Sequence, residues 1–63
     1  MFIKIKDVYD SVHILNKRHI IHIGYPHSEL VECNSVIDYG TGFLEAIYMK
    51  ETIEELNEKY KFV

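Results

Sequence analysis

Apolar and polar positions alternate with a period near two from the start of the chain to about residue 49, and helical spacing appears only after that. The opening "FIKIK" sets Ile3 and Ile5 on one side of an extended strand and Lys4 and Lys6 on the other, the pattern of a strand with one solvated face. "DVYDS" follows with turn-forming Asp7, Asp10 and Ser11. The next two apolar runs, "VHIL" and "HIIHIGY", flank "NKR" and predict a hairpin with Lys17 and Arg18 at its tip. In that register Ile14 faces Ile21 and Val12 faces Ile23, which forms the core face by cross-strand pairing. His13 then stands opposite His22 on the other face. A slip of two residues keeps the faces and opposes His22 to Leu15 instead, and the sequence leaves both registers open.

Pro26 ends the third strand, and "LVECNSVIDY" reads as a fourth, interrupted by Cys33, Asn34 and Ser35. "YGTGFLEAIYM" carries the clearest turn signal, because Gly40 and Gly42 admit the backbone conformations a tight reversal needs. In the strand that follows, Leu44, Ala46 and Tyr48 share one face, and Phe43, Ile47 and Met49 share the other with Glu45. The period then lengthens. Thr52 with Glu55 three residues on matches a capping box, and Ile53, Leu56 and Tyr60 form a narrow stripe, so residues 51 to 60 are expected to be a helix docked on the sheet.

These elements predict one domain over residues 1–63, of α+β class: a small antiparallel β-meander of four to five strands, with barrel-like closure as one option, and a single C-terminal helix. Phe2, Leu15, Ile20, Val36, Phe43, Ile47 and Met49 fall on the sheet face opposite the expected core. Three stripe residues on one short helix cannot cover them. An apolar surplus of that kind marks an interaction surface, so Leu15, Ile20, Phe43, Ile47 and Met49 are the expected interface.

Length sharpens this expectation. A 63-residue chain buries roughly 60% of the surface its unfolded state exposes and needs a staple, a metal or a partner to gain stability. The lone Cys33 rules out an internal disulfide and suits a reducing compartment. Apolar residues at 48% against 27% charged place the chain among folding rather than disordered sequences. No apolar run approaches the ~20 residues that span a bilayer. The expectation is a cytoplasmic protein with no membrane contact. Residues 1–30 hold four cations against three acids, and residues 31–63 hold three against seven, for a net −3 overall. A chain that grips phosphates shows a basic excess, so nucleic acid is a disfavoured partner.

The candidate chemistry is sparse. His13 and His22 form the one histidine pair that could share a face, as a pH-sensitive pair or with His27 or Cys33 around a metal, but the ligand spacing of structural zinc is missing and no metal or cofactor is expected. Cys33 lacks a local nucleophile signature. The helix acids Glu51, Glu54, Glu55 and Glu58 read as a solvated face. A chain this short leaves little room for the ~300 Å³ or more of a small-molecule pocket, so no enzymatic activity is expected.

The succession "LNKRHIIHI", a glycine turn and "AIYMKETIEEL" is similar to the small FlbD-like flagellar proteins and related short bacterial and phage proteins, through Asn16, Gly40 or Gly42, and Lys50, Glu51, Thr52, Glu54, Glu55 and Leu56. That resemblance implies a β-meander running into a capped helix, in an accessory or regulatory protein, and carries over no functional residue. The expected function is therefore a protein-interaction or regulatory module working as a homo-oligomer, with a dimer favoured and any other protein partner unknown. Two alternatives stand beside it: a small-ligand or nucleic-acid binder using Lys4, Lys6, Lys17, Arg18 and the histidines at a subunit junction, and a phage-type inhibitor presenting the acidic helix to a host protein.

Overall fold

A computed structural model describes residues 1–26, 31–40 and 42–63. Five antiparallel strands and one helix follow in the order β1 (Phe2–Lys6), β2 (Val12–Asn16), a 3-10 turn (Lys17–His19), β3 (Ile20–Gly24), β4 (Ser35–Tyr39), β5 (Glu45–Met49) and α1 (Ile53–Tyr60). The α+β class and the C-terminal helix agree with the sequence, but the strands do not make one meander or a closed barrel. They divide into a two-stranded sheet, β1-β2, and a three-stranded sheet, β3-β4-β5.

The division arises at "NKR". Instead of reversing the chain, Asn16 accepts a hydrogen bond from the Arg18 N–H through its side-chain oxygen at 3.1 Å, and the Ile20 N–H returns to the Lys17 carbonyl. One 3-10 turn forms and carries the chain across to the second sheet. The hairpin lies one turn earlier: β1 pairs with β2 from Phe2↔Asn16 to Lys6↔Val12 around the Asp7–Ser11 reversal. Asp10 takes a left-handed conformation there (φ 64°), which an aspartate tolerates better than most residues.

The register fixes which face is buried. Ile3 opposes Leu15 and Ile5 opposes His13, while Lys4 opposes Ile14 and Lys6 opposes Val12. The lysines keep their face in water, so Val12 and Ile14 are exposed with them and Leu15 turns inward. The core face expected for β2 is thus the solvent face. In the second sheet Ile37 pairs with both Ile23 and Ile47, and Ser35 with Met49. A bulge at Ile21 breaks the alternation of β3, so Ile20 and Ile23 both pack against the core while Ile21 is exposed. Ile5, Leu15, Ile37, Ile47, Met49 and Leu56 form the buried cluster, one contribution from the hairpin sheet, one from the larger sheet and one from α1.

The capping box is complete: Thr52 Oγ1 accepts from the Glu55 N–H at 3.2 Å and the Glu55 carboxylate accepts from the Thr52 N–H at 3.0 Å. At the other end of α1, Lys17 Nζ donates to the carbonyls of Tyr60 and Lys61 at 2.7 and 3.0 Å and lies 5.3 Å from the Phe62 ring centre. A cation on the last carbonyls meets the negative end of the helix dipole. Gly40 is the turn glycine that the fold requires. It has φ of 136°, and a Cβ there would collide with the Phe43 carbonyl, whereas Gly42 faces open space.

Candidate functional site

The hairpin reversal holds the tightest polar cluster. Asp7 continues the inward parity of Ile3 and Ile5, and His13 continues that of Leu15, so the register brings their side chains together at the end of the core. His13 Nε2 lies 2.7 Å from Asp7 Oδ2. Asp7 Oδ1 accepts the backbone N–H groups of Tyr9 and Ser11 at 2.8 and 3.0 Å. The His13 contact, those two backbone donors and the charge of His13 hold the Asp7 carboxyl below its ordinary 3.8, against an opposing effect of burial. Because an ionised carboxylate only accepts, His13 Nε2 carries the proton. Ser11 meets the pair through its backbone rather than its hydroxyl, so the arrangement locks a turn.

The lock makes the fold acid-sensitive with a definite sign. A carboxyl whose folded pKa is depressed contributes stability that is complete above its unfolded value, here 3.8, and is lost as pH falls through the lower folded value. Thermal unfolding followed from pH 7 down to pH 2 is expected to show a melting temperature falling below about pH 4, and the Asp7→Asn variant is expected to start lower and lose less over the same interval. Equal acid slopes for the two proteins would remove Asp7 from that role.

The expected His13 and His22 pair is not assembled. Their strands belong to different sheets, and His22 stands across from Asp38 on the solvent face with Nδ1 3.5 Å from Oδ2. Both of those side chains are open to water, where such pairs contribute little. His27 lies outside the described residues, and Cys33 is half-buried beside the reversal. Among the described residues no three histidine, cysteine or acidic side chains converge as metal ligands.

The expected interface is largely turned inside out. Leu15, Ile47 and Met49 are core residues with 3%, 2% and 0% of their surface exposed, and Ile20 packs beside them. Phe43 alone of the five stands fully in solvent, 95% exposed. The exposed apolar surface is assembled from other positions. Phe2 (69%) and Ile14 (69%) lie on the outer face of the hairpin with Val12, Lys4 and Lys6. Met1, Phe43 and Leu44 join Phe2 at one end of the molecule, because Lys17 N–H bonds the Met1 carbonyl and Gly40 N–H bonds the His19 carbonyl.

Open grooves among the described residues exceed the ~300 Å³ that so short a chain was expected to leave room for. One of about 530 Å³ lies beside the Asp7–Ser11 reversal, between Val8 and Tyr9 on one side and Val31 to Asn34 on the other, with Lys50 at its edge. Another, of about 490 Å³, runs between β3 and α1 along Ile20, Ile21, Ile53 and Phe62. Neither is enclosed. Lys17, which a basic binding patch would require, is already spent on the end of α1. Among the described residues no helix is long and apolar enough to cross a membrane. No family model, curated protein or solved structure matches the chain.

Sequence reasoning missed two pairings that mattered. Asp7 and His13 share a parity about the "DVYDS" reversal, which becomes legible once β1 and β2 are paired with each other. The Lys17 cap of α1 spans more than forty residues, and nothing local announces it.

Proposed function

We propose that this chain is a small, non-enzymatic protein-interaction module that assembles with copies of itself through exposed apolar side chains at the end bearing Phe2, Phe43 and Leu44. The observation that carries the reading is their exposure in a molecule that already has a closed core: Phe43 is 95% and Leu44 68% exposed, while the buried cluster is complete without them. Several large apolar side chains left in water toward the same end of the fold support an interaction surface, because together they leave more apolar area in water than a lone exposed residue does. The polar lock at Asp7 and His13 supports the same reading, because its groups are engaged in holding a turn. The accessory role implied by the FlbD-like resemblance is compatible with it.

Sedimentation equilibrium over a wide range of concentration tests the proposal. The average mass is expected to rise above that of one chain as concentration increases. A mass fixed at one chain up to the highest soluble concentration would overturn it.

A further inference from the structure

A strand at the edge of a sheet presents a row of unpaired backbone donors and acceptors, and proteins blunt such edges with charges, bulges or covering groups. The edges of this molecule are blunted unequally. β1 carries Lys4 and Lys6, and its Lys4 carbonyl accepts the Tyr60 hydroxyl at 3.1 Å. β3 is interrupted by the bulge at Ile21. β5 opens with the exposed Glu45 and gives its Tyr48 carbonyl to the Val8 N–H at 2.9 Å. β2 has none of these devices from Val12 to Ile14. That stretch holds no lysine, arginine or acid, and it pairs with β1 without a break. Its one ionisable side chain, His13, is tied back to Asp7, while Val12 and Ile14 leave 55% and 69% of their surfaces in water.

The hydrogen bonds of the hairpin fix which groups this edge presents. Lys17 N–H bonds the Met1 carbonyl and Asp7 N–H bonds the Ser11 carbonyl, both at 3.0 Å. In an antiparallel pair such bonded positions alternate, so the odd-numbered residues bond across the hairpin and the even-numbered ones turn their N–H and C=O groups outward. Two outward bonds agree with that alternation: the Tyr60 hydroxyl to the Lys4 carbonyl, and the Asn16 N–H to the Tyr39 hydroxyl, each at 3.1 Å. Val12 and Ile14 are the remaining even positions of β2. Among the described residues nothing bonds their outward N–H and C=O groups.

We infer that this edge pairs with the same edge of a second copy, β2 antiparallel to β2 about a two-fold axis at His13, joining the two hairpins into one four-stranded sheet. Val12 of each copy exchanges backbone hydrogen bonds with Ile14 of the other. A register centred on Ile14 would instead call on the Asn16 N–H, which Tyr39 already holds. The occupant follows from the edge's own chemistry. Opposed to itself, the edge sets Val12 beside Ile14 on the outer face, so two exposed apolar side chains cover each other at each pairing. Within each hairpin Lys6 opposes Val12 and Lys4 opposes Ile14, so Lys6 of one copy and Lys4 of the other stand three strand spacings apart, about 14 Å. That exceeds the Debye length of about 8 Å at physiological ionic strength, and the lysines do not hold the copies apart. This contact goes beyond the assembly proposed above, since it lies along the hairpin rather than at Phe43 and Leu44 and forms independently of them. A two-fold contact closes at two copies.

Amide exchange by NMR, read beside the average mass from sedimentation equilibrium, tests the pairing. In dilute solution the Val12 and Ile14 amides are expected to exchange quickly, while those of His13 and Leu15, bonded to β1, are slow. As concentration raises the mass toward two chains, protection at Val12 and Ile14 is expected to rise about tenfold or more, and added salt is expected not to reverse it. Ile14→Lys places a cation on the edge at an exposed position. That protein is expected to melt with the wild type in dilute solution and to lack the concentration-dependent protection. Phe43→Ser is expected to keep it. A mass that rises without protection at Val12 and Ile14, or an Ile14→Lys protein that pairs as the wild type does, would overturn the β2 contact and leave the one at Phe43 standing. Protection lost in Phe43→Ser would overturn it too, because the edge would then close only as a consequence of the other contact. A wild type fixed at one chain would overturn both and leave the edge to a strand of another protein.

Discussion

Ile47→Asp is expected to give a chain that does not fold at any concentration, rather than a folded monomer freed from an assembly. Ile47 is 2% exposed, pairs with Ile37 at the centre of the three-stranded sheet and belongs to the buried cluster. Removing a buried isoleucine side chain down to its Cβ costs about 2–5 kcal/mol. A carboxylate at the same place adds the cost of leaving water without a partner, whether it stays charged or takes up a proton. At roughly 0.05–0.15 kcal/mol per residue, a chain of 63 residues has a total stability of about 3–9 kcal/mol, so the two costs together exceed or consume it. Circular dichroism without a cooperative melt is the expected readout. Ile14→Asp is the matched control: Ile14 is exposed on the hairpin face, and that protein is expected to melt close to the wild type. A folded Ile47→Asp protein would show that position 47 is not part of the core.

That contrast between positions 14 and 47 measures what the sequence could and could not disclose. The alternation of β1 was legible because its two faces differ in kind: Ile3 and Ile5 against Lys4 and Lys6 leave no doubt about which side is buried. The helix was legible because its signals are local, and both hydrogen bonds of the Thr52 and Glu55 box are present. In β2 and β5 apolar residues occur on both faces, so period two gives the pairs of faces without saying which one turns inward. The partner strand supplies that information. Pairing β2 with β1 places Val12 and Ile14 beside the lysines and sends Leu15 inward, whereas pairing it with β3 gives the opposite result. The parity of β3 was beyond reach altogether, since the bulge at Ile21 shifts it by one residue and carries no sequence mark. Phe43, expected on one strand face with Ile47 and Met49, instead precedes β5, outside any strand pairing, and so is exposed while its two expected neighbours are buried.

Leu56→Ala is expected to undo α1 and take much of the remaining stability with it. Leu56 is the one buried residue of that helix, 0% exposed, and it joins Ile5 and Leu15 of the hairpin to Ile37, Ile47 and Met49 of the larger sheet. Eight residues are too few for a helix to persist in water by its own hydrogen bonds, even with a complete capping box, so docking through Leu56 is what sustains it. The cavity left by the truncation costs about 2–5 kcal/mol, a large share of the total for so small a chain. The loss also reaches the 3-10 turn, because Lys17 holds it against the last carbonyls of α1, and those carbonyls have a fixed position only while the helix is formed. Amide exchange is expected to accelerate first across residues 53 to 60 and next at Lys17 to Ile20, with the β4 and β5 pairing the last to open. Leu56→Met, which keeps the volume, is expected to cost less than about 1.5 kcal/mol and to retain the wild-type order of exchange. If the alanine protein melts at the wild-type temperature with α1 still protected, the helix is held by its polar ends alone, and the core described above is complete without it.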